Sequence, residues 1–411
     1  MTRIFSSKTL AFLRVTHRDD RMSDGEICAR HYLTGESVHL VWRQGIITQI
    51  EKADGGPGED HWIAPALVDL QVNGFGGVDF QQDNLTVEQL LTATRGLQAA
   101  GCSRFLPTLV TDQWPKMMAR MRWLRALRSQ SAELRHAIVG WHVEGPFLSQ
   151  EPGYHGAHDP ALMLSPTPGH IRELREVAGE DPLLITLAPE CQGAIPVIAM
   201  AVSRGIKVSL GHTCASGEIL RQAVEAGATG FTHLGNACPQ QLDRHDNILW
   251  RALDTSHLKV SLIPDQIHVS ASLFRLVHRA LDLESIFYVS DAMAGAGAPP
   301  GRYSIGALEV EVGADQVARQ PGKSNYAGSA LRPVDGVLRA ARMLGQSWSE
   351  VWDRFSAGPA GFMGMSHGLT PGHAADLCLL QTGGNGEPIS MRVLIRGEPV
   401  GGVLAKWAPA N

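Results

Sequence analysis

The sequence predicts an α/β fold, a (β/α)8 TIM-type barrel with a small β-sandwich domain built from N- and C-terminal segments. Three observations carry this. Eight short apolar runs follow one another through the middle of the chain, with amphipathic stretches between most of them. β-like runs flank that region on both sides. The length, 411 residues, exceeds one average domain and suits a large barrel plus a smaller unit.

Residues 1–23 contain basic residues but no long apolar run, and are read as a mobile N-terminal extension. The small β domain is expected at 24–64 plus 372–411. Its first part holds "SVHLVW" and "GIITQIE", and "GGPGED" at 55–60 is the loop that ends it. The barrel is expected at 65–371. Its strands are "ALVDLQV" (66–72), "RFLPTLV" (104–110), "AIVGWHVEG" (137–145), "LLITLAPE" (183–190), "IKVSLGH" (206–212), "TGFTHL" (229–234), "LKVSLIPD" (258–265) and "IFYVSDA" (286–292). "TVEQLLTATRGLQAAG", "SGEILRQAVEAG" and "SASLFRLVHRALDL" read as crossover helices, as parallel pairing requires. The connection around "NILWRALD" is the least regular. "RYSIGALEVEVGADQVARQ" reads as a hairpin insertion, followed by helices near 330–344 and 347–356. The tail runs "ADLCLLQ" and "MRVLIRGEPVGGVLAKW" are expected to rejoin the N-terminal strands, because a lone strand leaves its backbone unpaired.

Composition narrows the function. The net charge of −5 is dispersed along the chain, which points away from a nucleic-acid or membrane partner. Six cysteines without a C-x-x-C pair imply reduced thiols and a cytoplasmic location. No signal peptide or membrane span is apparent.

A barrel of this kind builds its active site at the C-terminal ends of the strands. Strand three ends in His142-Val143-Glu144, strand five in His212, strand six in His233 and strand eight in Asp291. Glu144, His212 and His233 make a carboxylate–imidazole set of the kind that holds a catalytic zinc with one position left for water. A divalent metal lowers the pKa of bound water from about 15.7 toward about 7. A facing carboxylate then takes its proton and delivers it to a leaving amine, a role that suits Asp291. Asp291 as a plain metal ligand is the other reading. Strand one ends in Gln71 and Asn73, two residues apart and so on one face. Both are neutral amides, poor zinc ligands. A single metal per subunit follows, with Gln71 bonding the metal's water or a neighbouring ligand. The glycines of "VNGFGG" are expected to leave room for substrate at the rim.

The segments "DLQVNGFGGVDF", "FLPTLVT", "GWHVEGPFLS", "GAHDP", "ITLAPE", "VSLGHT", "THLGNA", "IHV", "VSDAMAGAG" and "AGSAL" run through nearly the whole barrel in order. Together they resemble the N-acetylglucosamine-6-phosphate deacetylase family of the amidohydrolase superfamily. The resemblance implies Glu144, His212 and His233 as metal ligands and Asp291 as general base and acid. It implies His158 in "GAHDP", rather than His155, beside the substrate. Asn236 and Ala237 would meet the sugar phosphate, His268 would bind substrate, and Arg244 would bind phosphate, reaching the neighbouring subunit's site in a homodimer. The cofactor is one divalent ion, Zn²⁺ first, with Fe²⁺ or another divalent ion as alternatives. The reaction implied is N-acetylglucosamine 6-phosphate to glucosamine 6-phosphate plus acetate.

Four departures touch the sugar pocket and none touches the metal ligands. Gly235 replaces a bulky residue, Asp243 and His245 flank Arg244, Gln266 replaces a glycine, and "AMAGAG" follows Asp291. They leave open a galactosamine epimer, an unphosphorylated sugar or another amide substrate. A barrel that has lost catalysis and serves as a scaffold has no chemical need for all three ligands and Asp291 together.

Overall fold

A computed structural model describes residues 2–4, 13–17, 23–54, 60–322, 326–400 and 405–406. The eight expected barrel strands form, in order, at Leu67–Val72, Cys102–Val110, Trp141–Glu144, Leu183–Leu187, Lys207–Leu210, Gly230–Phe231, Lys259–Leu262 and Ile286–Tyr288. Each pairs in parallel with the next, as strands linked by crossovers must. Strand eight closes on strand one just past its end. Val72 bridges Ala292 in parallel, and the Asn73 amide donates to the Ala292 carbonyl at 2.7 Å.

The crossover helices form where expected. Val87–Ala99 starts at a capping box of Thr86 and Gln89, Gly217–Glu225 is capped by Ser216, and Ala271–Ala280 by Ser270. The irregular sixth connection contains the helix Ile248–Asp254, whose exposed amides Asn247 caps. The hairpin insertion is a three-stranded sheet over Gly301–Ile305, Leu308–Val312 and Ala318–Arg319, and the helices Pro333–Leu344 and Trp348–Trp352 follow it.

The tail rejoins the N-terminal strands. Leu377–Thr382 pairs antiparallel with His61–Pro65, and His61–Pro65 pairs in parallel with Ser23–His31. Val15, Ile27, Leu40, Trp42, Ile63, Leu377 and Leu394 form this domain's own core. Within the stretch read as an N-terminal extension, Thr2–Ile4 and Leu13–His17 are strands, and the second pairs antiparallel with Ser23–His31. The rest of that extension, the loop at 55–60 apart from Asp60, and the end of the tail lie outside the described residues.

A buried carboxylate ties the two units together. Asp376, beside the sheet strand Leu377–Thr382, accepts from His136 Nε2 at 2.8 Å, and Arg104 of the second barrel strand lies 3.5 Å away. The Arg396 backbone N–H adds a bond at 2.9 Å. Burial alone would raise this carboxyl, but the His136 hydrogen bond and the charges of His136 and Arg104 hold it down to about 2. A depressed carboxyl contributes stability that is present above its unfolded pKa and is lost as pH falls toward about 2. Asp376→Ala leaves the partly buried Arg104 and His136 without their shared acceptor. The expected cost is about 3–5 kcal/mol, read as a lower urea midpoint at pH 7.

Candidate active site

The strand ends converge at one mouth of the barrel. Glu144, His212 and His233 are buried, and their ligand atoms lie within 4.8 Å of one another, the one such cluster among the described residues. Glu144 Oε1 sits 2.9 Å from His233 Nε2 and 3.3 Å from His212 Nε2. Burial pushes the Glu144 carboxyl upward, but its bonds to the two imidazoles outweigh this and hold it well below the usual carboxylate range. Burial opposes charge on His233, and Glu144 outweighs that as well, so its pKa is raised.

The backbone is shaped to present these groups. His212, His233 and Asp291 adopt positive φ of 50°, 33° and 52°. Such conformations are uncommon outside glycine and are retained only where surrounding bonds enforce them. Here the His212 carbonyl accepts from Ser149 N at 2.9 Å and the Asp291 carbonyl from Ser329 N at 2.8 Å. The His233 amide donates to Ser261 Oγ at 2.7 Å. Glu190, three residues past strand four, braces the turn after His212 by accepting from the Cys214 amide at 2.7 Å and from the Thr213 hydroxyl.

The three residues fit a divalent cation. His212 Nδ1 faces the Tyr154 carbonyl at 3.2 Å, which fixes its proton there and leaves Nε2 for a metal. His233 Nδ1 and Gln71 Oε1 are buried without a partner among the described residues. A carboxylate with two imidazoles suits zinc and several other divalent ions.

The strand-one amides take separate tasks. Gln71 Nε2 donates to Glu144 Oε1 at 3.0 Å. Asn73 Nδ2 donates to Asp291 Oδ1 at 2.7 Å. Gln71 therefore orients Glu144. Asn73, which sequence reasoning treated only as a missing ligand, orients the facing acid. Its signal was its place on the same strand face as Gln71. Burial, then the Glu144 charge, push Asp291 up to about 6. Below it, the buried Asp69 accepts from the Ser290 and Gln71 amides and pins strand eight to strand one.

The other expected residues divide. His158 enters the site: its Nδ1 meets Thr111 Oγ1 at 2.8 Å, its Nε2 is 3.9 Å from Glu144 Oε2, and its ring stands edge-on to His212 at 4.5 Å. Burial and the neighbouring His212 lower it to about 3, so it is neutral. His155 instead bonds the His158 carbonyl. Gly156 lets this loop close over His212, since a Cβ there would lie 2.9 Å from the ring. His268 is held by Asp265 at 2.6 Å, and its charge acts on Asp291. Asp265 also accepts the Ile267 and His268 amides, a turn that sets Gln266 at φ 63°.

Asn236 donates its side-chain amide to the His233 carbonyl at 3.0 Å. Ala237 has φ of 50°, and its Cβ is 3.6 Å from where a Gly156 Cβ would sit. Arg244 is not brought to the cluster. It lies in an exposed loop, where its carbonyl accepts from Trp250 Nε1. The flanking Asp243 turns its carboxylate onto the His245 and Asp246 amides of its own loop. The rim glycines also divide: a Cβ on Gly74 would meet the Val78 carbonyl at 2.4 Å, whereas Gly76 and Gly77 face open space.

No family model matches the chain. Among curated proteins it is 32% identical over 321 residues to the N-acetylglucosamine-6-phosphate deacetylase of Danio rerio, covering 75% of this chain and 77% of that one. It is 29% identical over 324 residues to an N-acetylgalactosamine-6-phosphate deacetylase of Escherichia coli, covering 78% and 84%. Among solved structures, a mutant N-acetyl-D-glucosamine-6-phosphate deacetylase of Mycobacterium smegmatis in complex with N-acetyl-D-glucosamine-6-phosphate superposes with a TM-score of 0.78 at 28% identity, over 89% of this chain and 94% of that one. The Pasteurella multocida enzyme gives 0.79 at 25% identity, over 90% and 97%. Among the described residues, no helix is long and apolar enough to cross a membrane.

Proposed function

From the chain's membership of the N-acetylglucosamine-6-phosphate deacetylase family, in the amidohydrolase superfamily, we propose that it hydrolyses the acetamide of N-acetylglucosamine 6-phosphate to glucosamine 6-phosphate and acetate. The observation that carries the reading is the buried Glu144–His212–His233 cluster with Asp291 fixed opposite by Asn73. One divalent ion per subunit, zinc in the first place and ferrous iron or another divalent ion as alternatives, would be held by these three residues. Bound there, it would activate water and polarise the acetamide carbonyl. Asp291 takes the proton of the attacking water and returns it to the departing amine. His158, neutral and beside Glu144, donates to the acetamide oxygen or its neighbouring hydroxyl. His268, anchored on Asp265, holds the sugar.

Purified protein loaded with zinc should release acetate from N-acetylglucosamine 6-phosphate faster than from the galactosamine epimer or the unphosphorylated sugars. No turnover on any of them, with metal bound, defeats the reading. A ratio near one metal per chain is expected in the loaded enzyme, and a ratio near two would overturn the single-metal assignment.

The phosphate contact belongs to the same proposal. Arg244 is exposed within its own subunit and serves the neighbouring subunit's site in a homodimer. Charged hydrogen bonds are worth about 1.5–3 kcal/mol, so Arg244→Ala should raise KM for phosphorylated substrate by roughly 10–100-fold with kcat little changed. An unchanged KM removes Arg244 from the site.

A further inference from the structure

We propose a second ligand site, for a phosphate-type dianion, at the end of the barrel opposite the metal cluster, formed by Arg275, Arg279 and Arg354. The helices Ala271–Ala280 and Pro333–Leu344 follow strands seven and eight. They therefore run away from the catalytic mouth, and their last turns lie at the far end. There Arg275, Arg279 and Arg354 line a cavity of about 180 Å³ together with His278, Leu344 and Gln346. No carboxylate lines it.

The three guanidiniums are under-used. Arg354 is only 6% exposed, gives Nη1 to the Glu350 carbonyl at 3.1 Å, lies against the Tyr288 hydroxyl, and keeps a buried Nε with no partner among the described residues. Arg275 gives Nη1 to the Met343 carbonyl at 3.1 Å and a long contact to Ser272. Those bonds cover the helix-end carbonyls, yet each guanidinium has five N–H donors. Among the described residues none of the three arginines forms an ion pair, and the acids near Arg354, though they feel its charge, make their hydrogen bonds elsewhere. Glu350 caps Ser347, and Asp353 accepts from Tyr32.

The charge count selects the ligand class. His278 donates from Nδ1 to the Phe274 carbonyl, so its Nε2 accepts from the Tyr288 hydroxyl at 2.8 Å and the ring is neutral. Burial lowers its pKa to about 4, in agreement. Three permanent cations from two chain segments then face one cavity. A carboxylate is satisfied by a single guanidinium fork, whereas a phosphate monoester presents two charges and three oxygens to several. The site is independent of the catalytic assignment.

The test titrates inorganic phosphate, and separately glycerol phosphate, into the metal-loaded full chain by calorimetry, with chloride at matched ionic strength as control. Saturable binding is expected for at least one of the two, and the better binder tells a free phosphate site from a monoester site. Arg279→Gln, an exposed change, should weaken it by about tenfold or more while turnover stays at the wild-type rate. Arg354→Gln should do the same if it folds, judged by circular dichroism. Equal affinity in wild type and Arg279→Gln, no saturable binding of either phosphate, or equal binding of chloride would overturn the proposal.

Discussion

Asp291→Asn is expected to lower kcat by about 10²–10⁴-fold while leaving the metal content unchanged, the range general acid–base catalysis supplies. The asparagine keeps the size of the side chain and its place beside Asn73, so the cluster of Glu144, His212 and His233 is undisturbed. What it loses is the capacity to hold a proton between water and amine. The pH profile sharpens the test. A general base works deprotonated, so activity falls as pH falls through its pKa. Burial and Glu144 place that value at about 6 without a cation, and a bound cation moves it lower. The acid limb of kcat/KM should therefore lie at or below about pH 6 and vanish in Asp291→Asn. Loss of metal in the variant would instead make Asp291 a ligand.

The site was legible in the sequence to the extent that strand ends are. Glu144, His212, His233 and Asp291 each close an apolar run, and a parallel barrel leaves such positions at one mouth. The eight strands were legible for the same reason, because buried parallel strands read as continuous apolar runs. What sequence could not show was the pairing among side chains. That Gln71 binds Glu144 while Asn73 binds Asp291 depends on which way two amides turn inside a closed barrel. The positive φ of His212, His233 and Asp291 was equally hidden, since no residue-type preference marks it. Arg244 shows the opposite limit. The resemblance implied its role, but an exposed loop carries no packing constraint to aim the side chain within one subunit.

Glu144→Gln is expected to abolish metal binding and reduce turnover to background, because it removes the only anionic ligand from a buried cluster. The wild-type protein should show why that carboxylate matters through proton release. Glu144 Oε1 takes a hydrogen bond from His233 Nε2 at 2.9 Å. That bond puts an imidazole proton where the metal must sit. His233 holds its proton more tightly than a free imidazole does, because Glu144 outweighs the cost of burial. Below that raised pKa the ring is an imidazolium, so cation loading there should release about one proton per ion. Below the raised His233 pKa, each pH unit should then weaken apparent affinity about tenfold. Calorimetry in two buffers of different ionisation enthalpy measures the proton directly. A release near zero at pH 6 would mean that His233 is already neutral and that the contact with Glu144 does not compete with the ion.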